Sequence, residues 1–213
     1  VFWPQCHTEK AFTEKKGFGN SGFPFTSKEY ADAASVDYTK VDVPNARWHE
    51  QHTFTCFAFP TYSSRGCPNA CIYCTERNFA GRFRIRSADR VFGDVRRQKA
   101  LRPELRMFRL HESTSNGSVP QLAKFCDLMA GASLGLSWAM NGAIMRKEID
   151  ERLAAKLATA GCCFINYGLE TASHRVLAGC GKTLSRDADF DRVVRSTADA
   201  GIEVALNIMF GLP

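Results

Sequence analysis

From residue 53 onward the chain alternates between short apolar runs and longer amphipathic ones, and that alternation restricts the fold more than any other feature. The runs "TFTCFAFPTY", "LRMFRLH", "LGLSWAM", "CCFINYG" and "IEVALNIMFG" have the length and composition of strands. Helix patterns with start and stop signals separate them. "SADRVFGDVRRQKALRP" opens at Ser87, stops at Pro103 and puts Val91 and Val95 on one face. "SVPQLAKFCDLMAG" begins as a capping box, Ser118 with Gln121, and carries Leu122, Phe125, Cys126 and Met129 as a buried stripe. In "KEIDERLAAKLATAG", Ile149, Leu153 and Leu157 recur every four residues and Gly161 closes the helix. A short helix near "ASHRVLA" follows. The last helix, in "SRDADFDRVVRSTADAG", groups Phe190, Val193, Val194 and Thr197. Connections this long suit parallel crossovers. The expected fold is α/β, a partial (βα)6 TIM-like barrel with parallel strands, truncated before the sixth strand.

Folds of this kind bind ligands at the carboxyl ends of their strands. Five groups of residues fall there: Cys67 to Cys74, His111 with Glu112, Asn141, Gly168 to Thr171, and Gly211 to Pro213. The stretch "SSRGCPNACIYCTERN", residues 63–78, is the most specific of them. Cys67, Cys71 and Cys74 can turn three thiols toward one point. Three is odd for disulfides and one short of a structural zinc shell. Zinc completed by His52 or Cys56 is one alternative, and three free thiols another. An iron–sulfur cluster answers the spacing better, because thiolates ligate iron and three of them leave one iron open. Gly66 and Pro68 shape the turn, and nearby backbone amides can tune a cluster.

The 213 residues make one domain, or one domain with an appendage. Hydrophobic content of 45% with 23% charge excludes a disordered chain, and no apolar run approaches a membrane span. The net charge of +6 permits an anionic substrate, but its Lys and Arg are too scattered for a nucleic-acid module. Nine cysteines, including the adjacent Cys162 and Cys163 and the helix-like Cys126 and Cys180, form no disulfide framework. A cytoplasmic protein is expected. Residues 1–52 mix Gly, Pro and Asn with isolated aromatics and read as a loop-rich lead-in or the tail of a missing upstream domain. Residues 53–213 form the core, incomplete at its C-terminus. "VFWPQCHTEKAF" has no initiator Met and no signal-peptide pattern, so an internal start is expected.

The CxxxCxxC loop with Tyr73 just before its last cysteine resembles the cluster motif of the radical S-adenosylmethionine superfamily. "SSRGCPNACIYC" followed by "RFRIRSADRV" is most similar to the branch containing cobalamin-binding radical enzymes and methylthiotransferase-like enzymes. "INYGLET" and "AGIEVALNIMFGLP" resemble later segments of that branch, and the similarity spans roughly residues 53 to 213.

The resemblance implies that Cys67, Cys71 and Cys74 hold a [4Fe-4S] cluster whose open iron takes S-adenosylmethionine. Reductive cleavage then gives a 5′-deoxyadenosyl radical that abstracts a substrate hydrogen. Tyr73 is expected on the adenine side, or simply tucked against the core. Glu170 is expected to reach the cofactor's ammonium or ribose, or else to be an acid at a helix N-terminus. Glu112 takes the acidic role that the branch places after the second strand. His111 is a candidate general acid or base, or a satisfied half-buried histidine. Asn141, Gly168 and Gly211 are expected to line the cofactor site. Arg82, Arg84 and Arg86 either bind an anion or fix the loop. Implied partners are a one-electron donor such as flavodoxin or ferredoxin and a small-molecule substrate, with RNA left open. Cobalamin enters if an upstream domain carries it, and with it methyl transfer. The competing reading is a non-catalytic iron–sulfur or zinc protein that uses the loop structurally.

Overall fold

The computed structural model describes residues 59–76, 80, 82–185 and 187–212. The lead-in, the first six residues of the first apolar run, His52, Cys56 and Pro213 lie outside them. Five strands form one sheet: β1 (Phe59–Thr61), β4 (Met107–Leu110), β5 (Ser137–Ile144), β6 (Cys162–Glu170) and β7 (Glu203–Ile208). Their spatial order is their chain order and every pairing is parallel. Strand order decides the architecture. A doubly wound sheet reverses direction part-way and carries helices on both faces. Right-handed crossovers between strands laid down in sequence keep every helix on one face, so this sheet is the arc of a (βα) barrel.

The helices are α1 (Ala88–Leu101), α2 (Val119–Ala132), α3 (Glu151–Thr159), the single-turn-plus α4 (His174–Gly179) and α5 (Phe190–Asp199). α1 packs on α2, α2 on α3 and α3 on α5. Register shows how they seal the sheet. Phe59, Phe108, Trp138 and Cys162 are successive partners across four strands, and all four are buried. Phe108 stacks on Trp138 at 6.0 Å, and Phe125 of α2 meets both rings edge-on. Aromatic pairs in these geometries add attraction beyond their burial. The Trp138 indole N–H donates to Ala160 O at 2.8 Å, which satisfies the polar atom in this apolar layer.

The expected helices form, with one revision of mechanism. Ser87 caps α1, its Oγ accepting from Arg90 N. The stripe of Leu122, Phe125, Cys126 and Met129 is buried as the spacing requires. Ser118 occupies the N-cap of α2, but its side chain makes no cap hydrogen bond. Gln121 does not reach back to close the box; its Oε1 accepts from Ala88 N at 2.8 Å and ties α2 to the start of α1. α3 begins only at Glu151, capped by Asp150, so Ile149 precedes the helix while remaining buried.

β5 and β6 run past the ends that composition suggests. Asn141 lies inside β5, and Gly168 and Glu170 inside β6, rather than in the loops beyond. The pairing between the two strands slips between Met140 and Ala143, so Asn141 and Gly142 sit in a bulge.

Candidate metal and cofactor site

The cysteine loop leaves β1 through a small clip. β2 (Ser64–Arg65) pairs antiparallel with β3 (Arg84–Ile85), and the loop lies between them. Arg86 N donates to Ser63 O at 2.8 Å just outside the ladder, and the Arg86 guanidinium bonds Tyr62 O at 3.1 Å. The same guanidinium forms a buried ion pair with Asp94 at 2.7 Å, while Arg84 donates to Ala80 O at 2.7 Å. Arg84 and Arg86 thus fix the loop, and Arg82 is exposed.

Inside the loop, Gly66 turns the chain with φ 75° and Cys74 N bonds Cys71 O at 3.1 Å. The far wall is the segment that follows α4. Ala70 N bonds Gly181 O at 3.3 Å, Ile72 N bonds Cys180 O at 2.9 Å, and Asn69 Oδ1 accepts from Leu184 N at 3.1 Å. Gly181 is required there, since its φ is 79° and a Cβ would come within 2.6 Å of Ala70 O. These anchors use backbone and Asn69, and none of them uses a sulfur.

Cys67 and Cys71 are partly buried and Cys74 is exposed. Glu76 N donates to Cys74 Sγ at 3.4 Å. Burial raises the Cys71 thiol above its ordinary value, while the Tyr73 hydroxyl and the Lys182 charge pull it down and Cys67 and Cys74 act on it as neighbouring charges. Cys67 and Cys74 therefore both lie within electrostatic reach of Cys71. Among the described residues, no group of three His, Cys, Asp or Glu side chains is gathered tightly enough to grip an ion as it stands. The donor set is nonetheless right for iron–sulfur chemistry, being three soft thiols with a buried cation beside one of them. The Tyr73 hydroxyl is buried next to Cys71 without the alignment of a full hydrogen bond; burial first, and then the Cys71 and Glu170 charges, raise its pKa strongly, so it stays protonated.

Lys182, for which the sequence offers no local signal, organises this corner. It is 5% exposed. Its ammonium donates to Gly168 O at 2.5 Å and to Glu170 Oε1 at 3.1 Å. Glu170 ends β6 with φ 64°, a left-handed conformation uncommon for a residue with a side chain, and its carbonyl accepts from Met209 N. A Cβ at Gly168 would fall 2.8 Å from Glu170 Oε1 and 2.9 Å from Lys182 Nζ. A side chain at this position would have to push the ends of both partners aside.

A second polar group stands after β4. Glu112 is buried and accepts a hydrogen bond from Ser63 Oγ through Oε1, while its Oε2 is buried without a partner. Burial pushes its carboxyl up to about 7, against the Ser63 bonds and the Arg86 charge that pull it down. His111 is exposed, its Nδ1 lies 2.8 Å from Asn141 Nδ2, and Tyr62 meets its ring edge-on at 6.3 Å. Arg109 donates to Asn141 Oδ1 at 3.4 Å. The segment from Glu112 to Asn116 is buried apart from Ser113 and crosses the end of β5. Asn116 clamps Ile144, donating to its O at 2.7 Å and accepting from its N at 2.8 Å.

The residues picked from sequence therefore fall into two groups. Cys71, Tyr73, Gly168 and Glu170 share the corner organised by Lys182; His111, Glu112 and Asn141 share the end of β4 with Ser63 and Arg109. Gly211 joins neither. It is exposed with φ 77°, and nothing lies within 4 Å of where its Cβ would be. Among the described residues, no helix is long and apolar enough to cross a membrane.

Comparison with known proteins agrees with this layout. The model of the radical SAM superfamily matches residues 61–213. The anaerobic magnesium-protoporphyrin IX monomethyl ester cyclase of Rubrivivax gelatinosus is 24% identical over 155 residues, covering 73% of this chain and 27% of that protein. The bacteriochlorophyllide d C-12(1)-methyltransferase of Chlorobaculum tepidum is 27% identical over 156 residues, covering 71% of this chain and 33% of that protein. Among solved structures, the radical S-adenosylmethionine methyltransferase TsrM from Kitasatospora setae, with cobalamin and a [4Fe-4S] cluster bound, superposes with a TM-score of 0.62. It is 20% identical, over 73% of this chain and 31% of that one. The chain thus spans about a third or less of the length of these relatives. The family match takes in the cysteine loop and the four strands from β4 to β7, beginning at the last residue of β1, and the chain belongs to the radical SAM superfamily.

Proposed function

We propose that residues 59–212 are part of the catalytic core of an enzyme that cleaves S-adenosylmethionine reductively to start radical chemistry on a small-molecule substrate. One observation carries this reading: three thiols on a loop held over the carboxyl ends of a parallel sheet, with the carboxylates Glu112 and Glu170 at the ends of β4 and β6, on either side of β5. A [4Fe-4S] cluster with one iron free of protein thiolate supplies the electron that splits the sulfonium of S-adenosylmethionine into methionine and a 5′-deoxyadenosyl radical.

Cys67, Cys71 and Cys74 hold the cluster on this reading, and the Lys182 charge favours the thiolate at Cys71. Glu170, held in place by Lys182, accepts from the ammonium or ribose of the cofactor. Glu112 offers its unpartnered Oε2 as a second acceptor. Tyr73 covers the adenine side, with Gly168 and Gly211 as further cofactor contacts. His111, exposed after β4, exchanges a proton with the substrate on this reading. Electrons come from a carrier such as flavodoxin or ferredoxin, in a cytoplasmic setting.

Cobalamin-dependent methyl transfer is the finer reading. It is favoured by methyltransferases among the relatives, one of them solved with cobalamin, and it needs an upstream domain that carries the cobalamin. The test is electron paramagnetic resonance on anaerobically reconstituted, reduced protein, with and without S-adenosylmethionine. A four-iron signal shifted by the cofactor, followed by release of 5′-deoxyadenosine, is the expected result. A cluster signal indifferent to the cofactor, or stoichiometric zinc, would leave the loop a structural metal site.

A further inference from the structure

One face of the sheet is sealed by helices; the opposite, concave face carries polar side chains whose bonding is unfinished. Phe108 and Leu110 point to the helices, so Arg109 between them points to the concave side. Met140 of β5 and both Ile165 and Tyr167 of β6 are buried on the helix side, which places Asn141 beside Arg109 on the concave one, with Asn166 on the same face one strand further on. Filled barrels usually line this face with branched apolar residues. Here the Arg109 Nε is buried without an acceptor, and the Asn166 Oδ1 is buried without a donor. Among the described residues Arg109 forms no ion pair. A partly buried guanidinium with neither counter-charge nor acceptor at Nε is costly unless a ligand supplies both.

The bonds that Arg109 does make fix its neighbours. A guanidinium can only donate, so the atom of Asn141 that faces it is the oxygen, and the amide nitrogen must face His111. That nitrogen donates at 2.8 Å to His111 Nδ1, which must accept. An imidazole that accepts at Nδ1 carries its proton on Nε2. Arg109 thus sets the tautomer of His111 through Asn141, and the pair leaves two donors for a ligand, the buried Arg109 Nε–H and the Nε2–H of the exposed His111.

We infer that Arg109 and His111 form a carboxylate-binding subsite for the substrate on the concave face of the sheet, with Asn141 as the positioning residue that orients His111. A planar guanidinium is suited to a planar carboxylate. The assignment of the occupant as substrate rests on the radical-enzyme reading above; the subsite and the tautomer do not.

The test uses the reconstituted chain labelled with [15N]histidine, with His111→Gln to assign the resonance. The native protein is expected to show His111 protonated on Nε2, and Asn141→Asp to move that proton to Nδ1. Acetate, followed by saturation-transfer NMR against acetamide as the uncharged control, is expected to bind. Losing a charge-assisted bond in Arg109→Gln should weaken acetate by about tenfold or more, with Arg109→Lys in between. A native His111 protonated on Nδ1 overturns the relay, and acetate binding unchanged in Arg109→Gln overturns the subsite. Repeating the acetate measurement with S-adenosylmethionine present separates the two sources of carboxylate. Persistence assigns the site to substrate, and displacement assigns it to the cofactor and overturns the proposal. Iron content, read on the same samples, reports separately on the cluster, so failure of the radical reading is not confused with failure of the subsite.

Discussion

Two loops rise from the carboxyl ends of adjacent strands, and they are held in opposite ways. The cysteine loop after β1 is fastened by a two-rung ladder at its neck and by backbone bonds to Cys180 and Gly181 at its far side, so its thiols take no part in holding it. The loop after β4 has a backbone bond, Ser115 N to Gly142 O, and is otherwise fastened by its own side chains: Asn116 bonds both backbone groups of Ile144, and Glu112 is buried against Ser63. The first arrangement reserves side chains for a ligand. The second spends them on the fold, and leaves one carboxylate in a place where it does not ionise easily.

The contrast can be broken most decisively at Cys71. Cys71→Ala should reduce bound iron after reconstitution by more than the about 10–100-fold typical of outer partners of a metal ligand. The urea midpoint of the iron-free protein should stay where it is. An equal loss of stability would mean that the thiol holds the loop after all. Asn116→Ala should do the reverse, costing about 2–4 kcal/mol in urea unfolding, since it strands a buried N–H and a buried C=O.

Glu112 sharpens the comparison through pH. A carboxyl whose folded value is raised from 4.5 to about 7 binds more protons folded than unfolded between those limits. Its contribution is therefore without penalty below pH 4.5 and is lost as pH rises to about 7. At about 1.4 kcal/mol per pH unit the full penalty is about 3 kcal/mol. Glu112→Gln should remove this fall and stabilise the protein at pH 8 by up to that amount. Parallel pH profiles for native and variant proteins would show that Glu112 ionises normally.

The smallest effects concern the helices behind the two loops. Ser87→Ala should cost about 1 kcal/mol through loss of a working cap, whereas Ser118→Ala, which makes no cap bond, should stay within about 0.5 kcal/mol. Equal losses at the two sites would restore the capping box.

These paired serines show how far local pattern reaches. The helices were legible because a stripe such as Leu122, Phe125, Cys126 and Met129 repeats along the sequence, and burial follows the repeat. The two serines look alike in sequence, and only tertiary contact separates them, Gln121 being drawn across to α1. The strand ends were misplaced for a related reason. Asn141, Gly142 and Gly168 have turn composition, but Gly142 is small because a Cβ would strike Ser113 O at 2.7 Å and Glu112 O at 2.8 Å. A glycine needed for close approach and one needed for a turn are the same letter. The cysteines announced themselves by spacing, whereas Lys182, Arg109 and Asn116 act on residues 12 to 32 positions away and leave no periodic trace.

The clip between β2 and β3 has a consequence for how such a site is acquired. Because the neck of the cysteine loop is closed by protein hydrogen bonds, the entropy of bringing its ends together, on the order of 2–3 kcal/mol for a loop of this size, is met during folding and not at metal loading. The loop behaves as a cassette: its tip can be lengthened, shortened or rewritten while the sheet below keeps its register. Specialisation of the tip and maintenance of the barrel are thereby separate problems, open to separate change.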